Sequence, residues 1–252
     1  LDIPGYLTLP PGVADPSGLP LVVLAHGGPA GRDVAGFDWW AQALASRGYA
    51  VLQPEFRGST GYGRKHFEAG WKQWGQAMQN DLADGAKWAI TQGIADPQRI
   101  CIMGASYGGY ATLMGLVNDP DLFRCGINWV GVTDPQLMYS VNWSDTTDQT
   151  KIYGLPRLMG DPVKDADMLR THSPLQQAAR IKAPLLMAYG GKDERVPLVH
   201  GEKMRDALKP HNPRVEWVEY PDEGHGFVDL KAQADFWQRV EKFLNKNLKQ
   251  QP

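Results

Sequence analysis

Short apolar segments alternate with longer amphipathic segments along most of the chain, and no other feature of the sequence constrains the fold as strongly. Six short segments are aliphatic or β-branched and are bounded by Gly, Pro or Asp, which is typical of strands. We predict strands at residues 21–25, 50–53, 99–103, 124–129, 184–189 and 215–220. The amphipathic segments predict helices at residues 36–47, 76–91, 107–117, 198–208 and 231–248.

Strands alternating with helices predict an α/β fold, in which helices cover both faces of a mostly parallel central sheet. Right-handed crossovers bring the carboxyl ends of such strands to one edge, where loops build a site. Segment 133–173 interrupts the alternation and is rich in Asp, Thr and Pro, so we expect a short irregular or short-helical cap over that edge. Without internal repeats or a linker, residues 1–252 are expected to form a single domain.

The composition argues against several other classes of protein. Of the 252 residues, 42% are hydrophobic and 21% are charged, as in ordinary folded domains rather than disordered chains. The net charge of −2 does not favour nucleic-acid binding, and the apolar segments are too short to span a bilayer. Two cysteines argue against a disulfide framework or a cysteine-based zinc site. We therefore expect a soluble protein without metal or organic cofactor, with the cytoplasm slightly favoured as its compartment and the oligomeric state left open.

The segment GASYGG at residues 104–109 follows a predicted strand and precedes a predicted helix. A G-x-S-x-G turn in this context strains the central serine and exposes its hydroxyl at the edge of the sheet. Gly104 and Gly108 have to be small because the turn brings backbone segments close together. The pattern predicts Ser106 as the nucleophile of a serine hydrolase.

A serine nucleophile needs a histidine base, which follows it in the chain of such folds. Four histidines follow Ser106, and His225 lies between two glycines after the last predicted strand. His172, His200 and His211 lie in the irregular segment, in a predicted helix and in a proline-flanked turn. We therefore predict His225 as the base.

The base needs a carboxylate that orients it and stabilises its charged form. Asp193 follows a predicted buried strand and a glycine turn, two strands along the sheet from Ser106, and is the favoured acid. Asp134 and Glu194 are the remaining alternatives. The acidic residues at 222 and 223 are too close in sequence to the predicted base to be its best partner.

An oxyanion requires two fixed donors. The first is the backbone N–H of Tyr107, the residue after the nucleophile. The second is expected from the loop after the first central strand, where residues 26–29 read HGGP.

Five segments together resemble the catalytic domain of the prolyl oligopeptidase family, and its acylaminoacyl-peptidase branch in particular. They are residues 26–29 (HGGP), 57–63 (RGSTGYG), 104–109 (GASYGG), 191–197 (GKDERVP) and 224–227 (GHGF). The resemblance extends over nearly the whole chain, with the segments in the family's order. It implies an α/β-hydrolase fold with Ser106, Asp193 and His225 as the catalytic triad.

The resemblance also implies that Gly28 and Tyr107 donate to the oxyanion, and that Val132 and Arg195 lie near the substrate pocket. The chain also differs from the family's pattern in two ways. Members of the prolyl oligopeptidase type have a tyrosine where this chain has His26. Family members also carry an N-terminal β-propeller that restricts access to short peptides, and these 252 residues leave no room for one.

These features predict a serine hydrolase that cleaves small peptide, acyl-amino acid or ester substrates through an acyl-enzyme intermediate. A peptidase of the acylaminoacyl type is favoured by the resemblance. A stand-alone carboxylesterase is favoured by the architecture. A non-catalytic binding module with a hydrolase fold is the alternative from another class, and the presence of all three triad residues argues against it.

Overall fold

A seven-stranded sheet runs through the centre of the molecule in the computed structural model, which describes residues 1–141 and 144–249. The strands are β1 (Gly5–Thr8), β2 (Leu19–Ala25), β3 (Ala50–Pro54), β4 (Ala95–Ala105), β5 (Cys125–Trp129), β6 (Leu185–Gly190) and β7 (Val215–Tyr220). Their spatial order is β1-β3-β2-β4-β5-β6-β7, and only β1 is antiparallel to its neighbour. The mostly parallel sheet predicted from the sequence is confirmed.

Helices cover both faces of this sheet. They are α1 (Trp39–Ser46), α2 (Arg64–Glu68), α3 (Ala77–Thr91), α4 (Tyr107–Asn118), α5 (Leu137–Ser140), α6 (Leu155–Leu158), α7 (Ala166–Thr171), α8 (Val199–Leu208) and α9 (Leu230–Leu248), with a π-helical turn at Thr150–Gly154 and a 3₁₀ turn at Ala178–Arg180. Within the described ranges, no helix is both long enough and apolar enough to cross a membrane.

Two apolar clusters, one on each face of the sheet, form the core. Successive residues of β2 alternate between them, with Leu21 and Val23 in one cluster and Val22 and Leu24 in the other. The alternation follows from the two-residue period of a strand, and its presence on both faces explains why the strands are apolar throughout. Helices α3, α4 and α8 pack on the first face, and α1 and α9 pack on the second.

Strand β1 is the element of the sheet that the sequence did not predict. It has four residues and pairs with β3 at the sheet edge, from Gly5 opposite Pro54 to Thr8 opposite Val51. An edge strand is covered on fewer sides than a central strand, so its sequence needs no continuous apolar run.

The segment at residues 133–173 forms the short-helical cap that its composition predicts, with α5, α6, α7 and the π-helical turn. Hydrogen bonds join it to the body of the molecule. Leu175 N–H donates to Thr133 O at 2.8 Å, and Asp145 N–H donates to Glu194 O at 2.8 Å. The second bond places the cap beside the loop that follows β6.

Candidate active site

Ser106 lies in the one-residue turn between the end of β4 and the start of α4, with φ 59° and ψ −118°. Positive φ is strained for a residue with a side chain, and such strain collects at functional sites. The turn is held by hydrogen bonds on both sides, from Ser106 N–H to Trp129 O at 3.0 Å and from Tyr110 N–H to Ser106 O at 3.1 Å. The strained serine at the sheet edge agrees with the geometry expected of a G-x-S-x-G turn.

Two glycines allow the backbone to approach itself at this turn. A Cβ atom on Gly104 would lie 2.5 Å from Gly108 C and 2.6 Å from Ala25 O. A Cβ atom on Gly108 would overlap Ala25 O. The strand, the turn and the helix can therefore pack against β2 only if both positions lack side chains.

Asp193 and His225 form a hydrogen-bonded pair at the same edge of the sheet. Oδ2 of Asp193 lies 2.8 Å from Nδ1 of His225. The aspartate is fully buried, and its Oδ1 accepts the backbone N–H groups of Arg195 at 2.8 Å and Val196 at 2.9 Å. Both carboxylate oxygens thus have partners. Because the carboxylate accepts at Nδ1, Nε2 of His225 is left to accept a proton.

The loop that carries His225 is anchored by the side chains around it. Glu223 is buried, and its carboxylate accepts the N–H groups of Val228 at 2.7 Å and Asp229 at 3.0 Å. The ring of Phe227 packs 5.0 Å from that of Trp129, whose carbonyl holds Ser106. From the sequence, Glu223 is expected only as a disfavoured alternative to Asp193 as the partner of His225. Its acidic character directly before the glycine-flanked histidine is the one signal that could have pointed to its anchoring role.

The other acids considered from the sequence have different partners. Asp134 is buried, and its Oδ1 accepts Gln136 N–H at 3.0 Å in the turn before α5. Asp222 is exposed and forms an ion pair with Lys192 at 2.7 Å. Glu194 is exposed.

The other three histidines after Ser106 have structural surroundings. His172 Nδ1 lies 2.9 Å from Met168 O, and His211 is exposed. His200 is fully buried in α8, with Nδ1 accepting Thr133 N–H at 3.2 Å. Burial lowers the pKa of His200 to about 3, which keeps it neutral. Among these four histidines, within the described residues, only His225 contacts a carboxylate.

The predicted oxyanion donors lie at the start of α4 and on the loop after β2. Tyr107 is the first residue of α4, where a backbone N–H has no partner inside the helix. The loop after β2 passes close to the serine, because a Cβ atom on Gly27 would lie 3.6 Å from Ser106 Cβ. Neither Gly28 N–H nor Tyr107 N–H donates to another group in the part of the chain that the structure describes.

The two residues predicted near the substrate pocket lie on the loops that follow β5 and β6. Val132 N–H donates to Ser106 O at 3.4 Å, and the Val132 side chain is buried in the first core cluster. The side chain of Arg195 is 61% exposed, and its Nε lies 2.5 Å from Asp145 Oδ2 in the cap. The loop after β6 therefore contributes both Asp193 and a cationic group that touches the cap.

Known proteins of one family resemble this chain in sequence. The profile of the prolyl oligopeptidase family matches residues 35–251. The chain is 42% identical over 251 residues to dipeptidyl aminopeptidase BIII of Pseudoxanthomonas mexicana, covering 95% of the chain and 36% of that relative. It is 30% identical over 236 residues to an acylamino-acid-releasing enzyme of Arabidopsis thaliana, covering 90% of the chain and 29% of that relative.

Comparison of the fold with solved structures leads to the same family. The structure of Pyrococcus horikoshii acylaminoacyl peptidase superposes with a TM-score of 0.89 at 27% identity, covering all of this chain and 41% of that one. The chain thus spans well under half the length of the relatives that it matches. Its sheet, its strained serine turn and its sequence place it in one family. The chain belongs to the prolyl oligopeptidase family of serine peptidases and has that family's α/β-hydrolase fold.

Proposed function

We propose that this chain is the catalytic domain of a serine peptidase that cleaves small peptide or acyl-amino acid substrates through an acyl-enzyme on Ser106. The observation that carries the proposal is the hydrogen bond between buried Asp193 and His225, at the same sheet edge as a serine with positive φ. A hydroxyl at that place needs only a base to become a nucleophile.

In the proposed reaction, His225 Nε2 takes the proton of Ser106 as Oγ attacks the carbonyl carbon of the scissile bond. The resulting oxyanion accepts the N–H groups of Gly28 and Tyr107. The imidazolium then protonates the leaving amine, and a water molecule activated by His225 releases the acyl group. Asp193 stabilises the imidazolium, and its own orientation is held by the two backbone N–H groups that it accepts.

The substrate class follows from the relatives and from the chemistry of the leaving group. The relatives include an aminopeptidase and an acylamino-acid-releasing enzyme, which supports cleavage next to the first residues of a short peptide. Esters are the second candidate, because an alkoxide leaves with less need of protonation than an amine. In the whole protein we propose an N-terminal propeller domain that limits access to short peptides, which is supported by the small share of each relative that this chain covers.

Covalent labelling tests the nucleophile directly. A fluorophosphonate probe should add to the wild-type chain and to the Ser140→Ala control, whose hydroxyl is exposed, but not to Ser106→Ala. p-Nitrophenyl esters should give a burst of one equivalent with the same dependence on Ser106. If Ser106→Ala kept the burst, the nucleophile would be another residue. If the wild-type chain showed neither labelling nor burst, the binding-module alternative would be favoured.

Rates on matched substrates then show which class of substrate the chain prefers. A free dipeptidyl anilide, an N-acetyl-aminoacyl anilide and a short-chain ester with the same side chain should be compared by kcat/KM. We expect both anilides to be cleaved. Hydrolysis of the ester alone would instead favour the carboxylesterase.

A further inference from the structure

The loop that follows β5 holds the backbone of Ser106 on both sides, and one residue of this loop is strained. Ser106 N–H donates to Trp129 O at 3.0 Å, and Val132 N–H donates to Ser106 O at 3.4 Å. Between these contacts lies Val130, which has φ 44°. Positive φ is a genuine outlier for a β-branched residue and persists only where the surroundings enforce it. The position of the nucleophile therefore depends on what holds this loop.

Strand β6 holds the loop from the side opposite Ser106. Val130 N–H donates to Ala188 O at 2.8 Å. The hydroxyl of Tyr189 lies 2.8 Å from Gly131 O, and its oxygen also lies 2.9 Å from Nδ2 of Asn128 on β5. The side chains of Tyr189 and Asn128 are both fully buried, so solvent does not compete for either contact.

The partners of the phenol determine where its hydrogen lies. A carbonyl oxygen can only accept, so Tyr189 donates its single hydrogen to Gly131 O. The phenol oxygen is then the acceptor for Asn128 Nδ2. Burial raises the pKa of Tyr189 well above its usual value, so the hydroxyl keeps this hydrogen near neutral pH. A hydrogen-bond chain of fixed direction thus runs from Asn128 through Tyr189 to Gly131.

The amide of Asn128 is unexpected at this place in the sheet. A central strand of a parallel sheet is buried on both faces and is normally aliphatic, and an amide costs free energy to bury. Asn128 Oδ1 has no hydrogen-bond partner among the described residues, and a Cβ atom on either Gly109 or Gly131 would overlap it. An aliphatic side chain could fill the same space. The distinct contribution of the amide is therefore its hydrogen bond to Tyr189.

We propose that Tyr189 and Asn128 are positioning residues for the nucleophile, which hold the strained loop at residues 130–132 so that the turn of Ser106 keeps its reactive orientation. The inference rests on the proposed function and deepens it. Both side chains act through Gly131 O and the backbone of the loop. Strand β6 also leads into the loop of Asp193, so one strand supports the acid and, through Tyr189, the nucleophile.

Two substitutions and their combination separate positioning from stability. Tyr189→Phe keeps the ring stacked on Trp217 and removes the hydrogen bond to Gly131. Asn128→Leu keeps a side chain of similar size and removes the amide. In Tyr189→Phe the buried amide loses its acceptor, so thermal unfolding should move to lower temperature. In the double variant neither side chain has an unpaired polar group, so much of that stability should return.

The rate of labelling by a fluorophosphonate probe measures the attack by Ser106. We expect Tyr189→Phe to lower the maximal labelling rate on the order of 10- to 100-fold, as when a reacting group is misplaced. The probe concentration that gives half the maximal rate should stay nearly unchanged. The double variant should remain equally slow although its stability returns.

Tyr49→Phe is the matched control for the loss of a buried phenol hydroxyl. Tyr49 is also fully buried, and its hydroxyl donates to Asn245 Oδ1 at 2.8 Å in the other core cluster. This variant should lose stability and keep a labelling rate near that of the wild type. All rates are measured well below the unfolding midpoint of each variant.

The outcomes distinguish the two proposals. If Tyr189→Phe does not fold, the double variant carries the test, and failure of both to fold would overturn a role confined to positioning. A double variant that regains the wild-type rate, a Tyr189→Phe variant no slower than Tyr49→Phe, or an effect only on the half-maximal concentration would also overturn it. A wild-type chain that is not labelled, or labelling that survives in Ser106→Ala, would overturn the proposed function instead.

Discussion

Asp193 and His225 are 32 residues apart in the chain, yet Oδ2 of the first lies 2.8 Å from Nδ1 of the second. The aspartate has no exposed surface, while the histidine side chain is 27% exposed. The aspartate end of the pair is therefore enclosed in the protein, and the histidine end is partly open to solvent. This difference in exposure suits an acid that only orients its partner and a base that must reach substrate.

The substitution Asp193→Asn should lower kcat about 10³- to 10⁴-fold and leave the fold intact. The amide oxygen can still accept the N–H groups of Arg195 and Val196, but the amide NH₂ would favour the wrong tautomer of His225. Steady-state kinetics and circular dichroism check this expectation. Asp222→Asn, at an exposed acid three residues before the histidine, should stay near wild type. A mild effect at Asp193 would mean that another group orients the base.

The substitution Gly108→Ala should destabilise the chain by about 3 kcal/mol or prevent folding. Alanine would normally favour a helix, but here its Cβ would overlap Ala25 O where α4 meets β2. Urea unfolding measures the loss. Gly36→Ala is the matched control, because a Cβ atom there meets nothing within 4 Å. Equal midpoints for the two variants would contradict the close approach of helix and strand.

Glu55 should make stability depend on pH. It is fully buried behind His26, with Oε2 3.9 Å from Nε2, and burial raises its pKa to about 7. Between its unfolded pKa near 4.5 and about pH 7, the folded state holds a proton that the unfolded state has lost, so the contribution of Glu55 to stability falls as pH rises. Glu55→Gln mimics the protonated form and should remove this fall.

The measurement is the difference in unfolding free energy between Glu55→Gln and wild type at pH 5 and pH 7. From pH 5 to pH 7, this difference in unfolding free energy should shift in favour of the variant by roughly 1–3 kcal/mol, since each unit of pKa shift corresponds to about 1.4 kcal/mol. Asp33, with its pKa raised to about 6, and His26, with its pKa lowered to about 4, titrate in both proteins. Their contributions largely cancel in the difference. A difference that is constant with pH would show that Glu55 is ionised throughout.

The two cysteines should be unreactive in the folded chain. Cys101 on β4 and Cys125 on β5 are register partners in the sheet; both are free and fully buried. Burial raises the pKa of the Cys101 thiol well above its usual value, which removes the reactive thiolate. A chromogenic disulfide reagent should titrate no thiols in the native protein and two in guanidinium chloride. Fast labelling of native protein would contradict the packing of β4 against β5.

The periodic elements of the fold could be predicted from the sequence because local patterns carry them. Strand β7 has the predicted bounds, and α3 begins one residue from its predicted start. Strand β4 is longer than predicted, at residues 95–105, because Ala95 pairs with Leu19 beyond a register shift and Ala105 pairs with Trp129 at the other end. Strand β1 was missed for the related reason that an edge strand is defined by its partner.

The sequence by itself determined the alternating architecture, the family and the strained turn at Ser106, because each depends on residues close together in the chain. Only the tertiary structure decided which carboxylate meets His225, what Glu223 anchors and where the hydroxyl of Tyr189 binds. Asp193 and His225 lie on loops that follow different strands. The parallel sheet brings the carboxyl ends of these strands to one edge, so the partners at this site are set by strand order and not by distance along the chain.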